Sequence, residues 1–321
     1  MNYTIANLAY GSMYCDIFLN QHLKSVLDES NLPSISKLHK IEYLIFTDPQ
    51  SIQKIGEHPN IKKLKEHANV LMMKFDVNLA FTARYGCLKE MMRISIEYAT
   101  KRGGVCSLFV ADLVVAKDFF KKILGRIDEG YDSVISSPMR AAAESAIPVL
   151  NKFDEALNSF DLFALSYIHM HPLWTHSHWK NPQFTKMPYS MLWNSGRGIL
   201  NRSFSMAPLI FKPVIEMANC DMLDVDVPKF CKNSYVAYNW DDCPIIGVEP
   251  LFCYYPNFTN DPASPEYVGG TFSKELDPSQ IQFLNHRFFY PNEEFAEFTK
   301  EQIAESDAVV DSIQFAHHVK I

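Results

Sequence analysis

Three aspartates stand where short apolar runs end: Asp48 in EYLIFTD, Asp76 in NVLMMKFD and Asp112 in CSLFVAD. A carboxylate in such a place can hold an oxygen-loving divalent cation. Mg²⁺ or Mn²⁺ takes one or two protein carboxylates and bridges phosphate oxygens with the rest of its shell. The alternative is local: aspartate is also a cap and turn residue. Asp48 suits that role, as an N-cap followed by Pro49 in the first helical position. Asp112 is different, because apolar Leu113–Val115 follows at once and leaves no polar cluster for a solvent loop. That keeps the acid close to the sheet edge.

Two other groups carry chemistry. Asp241 and Asp242, in YNWDDCP, form a second acidic pair, with Glu249 seven residues beyond the second of them. An Asp-Asp-Cys-Pro turn is the structural alternative. His169, His171, His176 and His178 lie within ten residues of one another. Imidazoles suit zinc and its neighbours. Neither an H-E-x-x-H helix nor paired Cys/His spacing accompanies them, so a loop of backbone-bonded histidines beside Trp174 and Trp179 stays open as the other reading.

The elements that would position these residues alternate. Runs at 4–11, 42–48, 69–76, 106–112 and 132–138 read as strands, and 15–29, 81–104 and 117–130 as helices between them. Strand and helix at this spacing predict an α/β fold, a Rossmann-like layered arrangement with a mostly parallel central sheet and helices on both faces. Ligands then sit outside the carboxyl ends of the strands. That edge comprises Tyr10, Gly11 and Ser12, then Thr47 and Asp48, Asp76, Ala111 and Asp112, and Ser137–Pro138. Neither G-x-G-x-x-G nor a P-loop motif is present, which argues against a dinucleotide or P-loop phosphate cradle. Residues 139–167 read as two helices broken near Pro148 or Ser159. From 169 onward the chain is rich in aromatics, histidine and proline. The division expected is 1–140 and 141–321, the second part packed directly on the first as α+β.

Composition narrows the partners. There are 37 acidic against 30 basic residues, a net charge of −7, and no basic stripe beyond Ile61–Lys65. That excludes a phosphate-backbone footprint and with it nucleic acid. No apolar run approaches a membrane span, although peripheral attachment to the inner face of a membrane stays compatible. Seven scattered cysteines without a paired spacing read as reduced thiols, and the start lacks a secretory pattern, so a cytoplasmic setting is expected.

YGSMYCDIFLNQHLKSVL, EYLIFTD, SLFVADLVVAKDFF, HPLWTHSHWKNPQFTKMPYSMLW, FSMAPLIFKP and YNWDDCPIIGVEP together resemble the nucleotide-sugar-dependent glycosyltransferases of GT-A type, more narrowly a bacterial group of them. The resemblance implies a nucleotide-sugar donor and a saccharide or surface-glycan acceptor. It places Val110-Ala111-Asp112 where that family carries Asp-X-Asp, with valine for the first acid. Metal use, Mn²⁺ or Mg²⁺ on Asp112 with His171 as a second ligand, is therefore an open alternative to a metal-independent site. By the same analogy Tyr10–Ser12, Thr47 and Asp48 face the nucleotide, and Arg84, Arg140, Arg202 or Lys212 supplies charge to the diphosphate. Asp241, Asp242 and Glu249 are the candidates for general base. A catalytically silent binding protein of the same fold, and a metal-dependent hydrolase built on the histidines, are the competing readings.

Overall fold

The computed structural model describes residues 1–75, 78, 85–186, 189–204, 206–253, 258–275 and 283–318. Asp76 and Arg84 lie outside the described residues. The strands in chain order are β1 (Asn2–Leu8), β2 (Lys40–Thr47), β3 (Asn69–Lys74), β4 (Gly104–Val110), β5 (Leu113–Val115), β6 (Ser133–Ser136), β7 (Met139–Ala142), β8 (Ser190–Asn194), β9 (Ile199–Ser203), β10 (Ala207–Phe211), β11 (Ser234–Val236), β12 (Ile245–Glu249) and β13 (Phe288–Tyr290).

Seven of them form a central sheet in the order β3-β2-β1-β4-β10-β6-β11. β10 runs antiparallel to both its neighbours, and the other pairings are parallel. The order reverses between β1 and β4, which makes their carboxyl ends the switch point of the sheet. Both faces are buried, so the central strands read as continuous apolar runs rather than as alternations. Tyr3, Ile5, Tyr43, Ile45, Val105 and Phe109 face one core. Their neighbours Ala6, Leu8, Leu44, Phe46, Cys106 and Leu108 face the other. Helix Gly86–Arg102 covers the second face with Met91, Met92 and Ile96. Helix Phe119–Asp128 and the helical stretch after β1 cover the first, through Phe119, Phe120 and Ile123 and through Phe18, Leu19 and Leu23. Each such side chain contributes about 1.5–3 kcal/mol when fully buried, which is why the strand ends are held rigidly.

Several expectations shift in detail. β4 ends at Val110, and Ala111–Asp112 form a turn rather than the end of the strand. Leu113–Val115 is apolar because it starts β5 in a separate sheet, β5-β12-β7. Asp48 does not cap a helix at Pro49. The helix begins at Ile52 with Ser51 at its N-cap position, and Asp48 closes the turn before it. Within the stretch 139–167, Met139–Ala142 is β7, and the two helices are Ala143–Leu150, which contains Pro148, and Ser159–Ile168, which ends one residue beyond. The spans 1–140 and 141–321 interleave, since β10 and β11 complete the sheet that β1–β4 begin. A third sheet, β13-β9-β8, packs Met191, Trp193, Leu200 and Phe289 against Val310 and Ile313 of helix Lys300–His318. Among the described residues no helix is long and apolar enough to cross a membrane.

Candidate active site

The small sheet β5-β12-β7 gathers the site. Asp112 is tied to β12 because its carbonyl accepts from Val248 N–H at 2.7 Å. One residue further, Leu113 pairs with Gly247, and Gly247 pairs with Arg140 on the other side. Residues two apart share a face of a strand. Arg140 therefore rises beside the side-chain-free Gly247 and reaches Glu249, its Nη1 to Oε2 at 2.5 Å. Sheet register thus brings a turn aspartate, a strand arginine and a strand-end glutamate to one edge, beside the carboxyl end of β4.

His171 joins from the segment that runs along β7. Its backbone N–H donates to the Arg140 carbonyl at 2.8 Å, and its Nδ1 accepts from Leu173 N–H at 3.2 Å. That assigns the neutral ring its proton on Nε2. Burial lowers its pKa, and the opposed fields of Glu249 and Arg140 act on it as well. Glu144, in the first turn of the next helix, accepts Leu251 N–H on both oxygens at 3.0 and 3.1 Å, which pins the chain just after Glu249.

The electrostatics single out Asp112. Burial pushes its carboxyl up to about 6; Arg140 lowers it and Glu249 raises it. Among the described residues its carboxylate makes no ion pair within 4.0 Å. Arg140 keeps 48% of its side-chain surface exposed. Its Nη1 is committed to Glu249, while Nε and Nη2 have no partner among the described residues. A half-exposed guanidinium paired through one nitrogen keeps donors that could bond an anion.

A buried chain steadies this edge from the core. His22 Nδ1 donates to the carbonyl of Leu113 at 2.6 Å, and its Nε2 lies 3.0 Å from the Tyr43 hydroxyl. Burial lowers the His22 pKa to about 4, so the ring is neutral. The same hydroxyl lies 2.5 Å from the side-chain amide of Asn7. The residue next to Asp112 is thereby locked to β1 and β2.

The end of β1 forms the neighbouring wall. Gly11 sits at φ 71°, a conformation a side chain would strain, and its N–H donates to Asp48 Oδ2 at 3.0 Å. Asp48 also accepts from Gln50 N–H, Ser51 N–H and Ser51 Oγ, and these bonds hold its pKa low against the effect of burial. It is a saturated carboxylate that shapes the loop. Thr47 is buried beneath it. Tyr10, 37% exposed, meets Phe75 edge-on at 5.4 Å, and Ser12 begins the helical stretch Ser12–Ile17, which continues through a π-helical turn at Phe18–His22 into Leu23–Val26. Ala111, buried, lies between this wall and Asp112.

The remaining sequence candidates stand apart. Asp241 and Asp242 precede β12, at the end opposite Glu249. Asp242 completes a capping box with Asn239. Asp241 accepts from Ser159 Oγ and, at 2.8 Å, from Asn292. Arg202 is buried and bound to Asp307, and Lys212 lies 3.8 Å from Asp132. The histidines disperse. His176 bonds the Gln183 carbonyl and stacks on Phe258, and His178 is buried enough to lower its pKa. Trp174 and Trp193 are core residues, the latter stacked on Trp179. Among the described residues no three His, Cys, Asp or Glu side chains come together to hold a metal ion. Around Asp112 the nearest partner charge is a guanidinium, and the second carboxylate is already paired to it.

Sequence reasoning missed Glu144 and the β5-β12-β7 sheet. Its signal was slight, three short runs (LVV, MRAA, IIGVE) far apart in the chain, the second without a β-branched residue. No protein-family model matches the sequence. No curated protein matches it either. Among solved structures it is similar to mouse xyloside xylosyltransferase 1 in its apo form, at 9% identity and a TM-score of 0.30. That alignment covers 47% of this chain and 59% of the other, so this chain spans about three fifths of the length of that protein. A likeness of that size carries no functional argument.

Proposed function

We propose that this protein is a glycosyltransferase that moves a sugar from a nucleotide-linked donor to a hydroxyl of a saccharide acceptor. The observation that carries the reading is the convergence of Asp112, Arg140 and Glu249 beside the switch point of a mostly parallel sheet. Transfer breaks the bond between the anomeric carbon and the diphosphate oxygen and makes one to the acceptor oxygen. Charge builds on the departing diphosphate, and a proton must leave the acceptor hydroxyl. Arg140 takes the first, with its outward donors on phosphate oxygens. Asp112 takes the second, as a carboxylate whose pKa of about 6 lies near neutral pH, where a general base works best. Glu249 aims the guanidinium. The exposed Tyr10–Ser12 segment receives the nucleotide. In this reading the site needs no divalent cation.

The test is thermal denaturation with a panel of nucleoside diphosphates and nucleotide sugars, each with Mn²⁺ and with EDTA. A ligand at about 100 times its Kd stabilises by about 2.7 kcal/mol. At least one nucleoside diphosphate should raise the Tm equally in both buffers. No shift with any member of the panel would overturn the reading.

A further inference from the structure

A groove of about 770 Å³ runs between the helical stretch after β1 and helix Ala143–Leu150. One end, at Glu144 and Pro250, adjoins the Arg140–Glu249 pair in the chain; the other, at Met13, adjoins Gly11–Ser12. The volume lies in the ordinary range for small-molecule sites. What it recognises follows from which polar atoms remain unspent.

Part of the donor capacity is spent within the protein, one N–H from each of three side-chain amides. Asn20 Nδ2 donates to the Asp16 carbonyl at 3.0 Å, and Asn60 Nδ2 to the Leu19 carbonyl at 2.8 Å. Because a carbonyl can only accept, these amides cannot be turned round, and each leaves its Oδ1 unspent. Lys24 Nζ is committed to the carbonyls of Leu150 and Phe153 at 2.7 and 2.9 Å. Three acidic residues, Asp16, Glu144 and Asp154, line the same groove with Lys24; Asp16 also pairs with Lys54 at 2.7 Å, and both oxygens of Glu144 accept from Leu251 N–H. Gln21 is a second, independent sign of a ligand. It is 3% exposed, it donates to Asn151 Oδ1 at 2.7 Å, and its Oε1 has no partner among the described residues. Asn20 and Gln21 both sit in the π-helical turn, a device found mostly at functional sites. Between the polar groups, Ile17, Ile147 and Pro148 offer an apolar floor.

A groove lined by side-chain amides, which both donate and accept, and by three acidic residues against Lys24, with apolar patches between, suits a ligand rich in hydroxyls, free of negative charge and carrying apolar faces. We infer that this groove binds a neutral or amino-bearing oligosaccharide and excludes anionic ones. It rests on the proposed transfer only for its role: there, the groove delivers the acceptor hydroxyl at its Glu144 end while its charge keeps the donor diphosphate out.

The experiment is saturation-transfer NMR on the full chain with maltotriose, chitotriose and trigalacturonate. It compares wild type with Ile147→Trp, which fills the groove, and Asn20→Ala, an exposed change that cannot threaten the fold. The first two sugars should bind and the third should not. Ile147→Trp should lose at least about tenfold in affinity and Asn20→Ala about three- to tenfold, with nucleoside diphosphate binding unchanged in both. Saccharide binding that persists without any nucleotide binding would support the groove while removing the transfer reading. Failure of both neutral sugars to bind, equal binding of trigalacturonate, or indifference to Asn20→Ala would overturn it.

Discussion

Two acidic side chains at opposite edges of the central sheet have opposite surroundings. Glu42, near the start of β2, is 1% exposed and fully engaged. It accepts from Asn69 at 2.6 Å and Tyr98 at 3.0 Å, and it pairs with Arg102 at 3.1 Å. Asp112, just past the end of β4, has its backbone anchored and its carboxylate left without an ion pair among the described residues. Desolvation of this half-buried carboxylate, only partly offset by Arg140 and by its own backbone N–H, raises its pKa to about 6. Where a buried charge is satisfied, it serves the fold. Where it is left short at a strand's carboxyl end, ligand chemistry is the role proposed for it. Asp48 sharpens the point, since it lies at the ligand edge yet is saturated and low in pKa, and so belongs with Glu42.

This contrast can be broken by mutation. The largest effect belongs to Arg140→Ala, which removes the anion-facing guanidinium; sugar transfer or donor hydrolysis should fall about 10²–10³-fold, read as initial rates. Next is Glu42→Ala, which leaves Asn69 and Tyr98 without their acceptor. Urea unfolding should show a loss of about 2 kcal/mol, with nucleotide binding unaltered. A wild-type-like midpoint would show that the satisfied carboxylate is not structural. Asp112→Asn should move stability the other way. The folded-state pKa lies above the ordinary 3.8, so ionising Asp112 costs stability; the cost is absent below pH 3.8 and complete above about 6. The variant should therefore melt higher than wild type at pH 8, with the gain fading as the pH falls through 6 towards 4, while turnover is lost. A gain that is independent of pH would contradict the assignment. Smallest is Asp241→Asn, which keeps a hydrogen-bonding side chain at the Ser159–Asn292 junction. It should cost about 1 kcal/mol in urea unfolding and leave transfer intact.

The sheet was legible in the chain because parallel strands buried on both faces write themselves as unbroken apolar runs, as in EYLIFT and CSLFV. Asp112 was legible for the same reason, as a lone acid between two such runs. What could not be read was the company it keeps. Arg140, Glu249 and Asp112 are brought together by the register of three strands of five residues or fewer, with Glu249 more than 100 positions beyond the other two. Nothing local encodes such a pairing. Asp241 and Asp242 look equally acidic in sequence, and only their hydrogen-bond partners separate them from Glu249. The histidines, close along the chain, take separate places: His171 caps a turn, His176 bonds the Gln183 carbonyl and stacks on Phe258, and His178 is half-buried.

The most direct test of the central claim is calorimetric titration, in EDTA, of the nucleoside diphosphate that stabilises the wild type. It would be run against wild type, Arg140→Ala and Asp241→Asn. Binding at an Arg140-centred diphosphate site predicts equal affinity for wild type and Asp241→Asn and at least about a tenfold loss for Arg140→Ala. Equal affinity across all three proteins would contradict it.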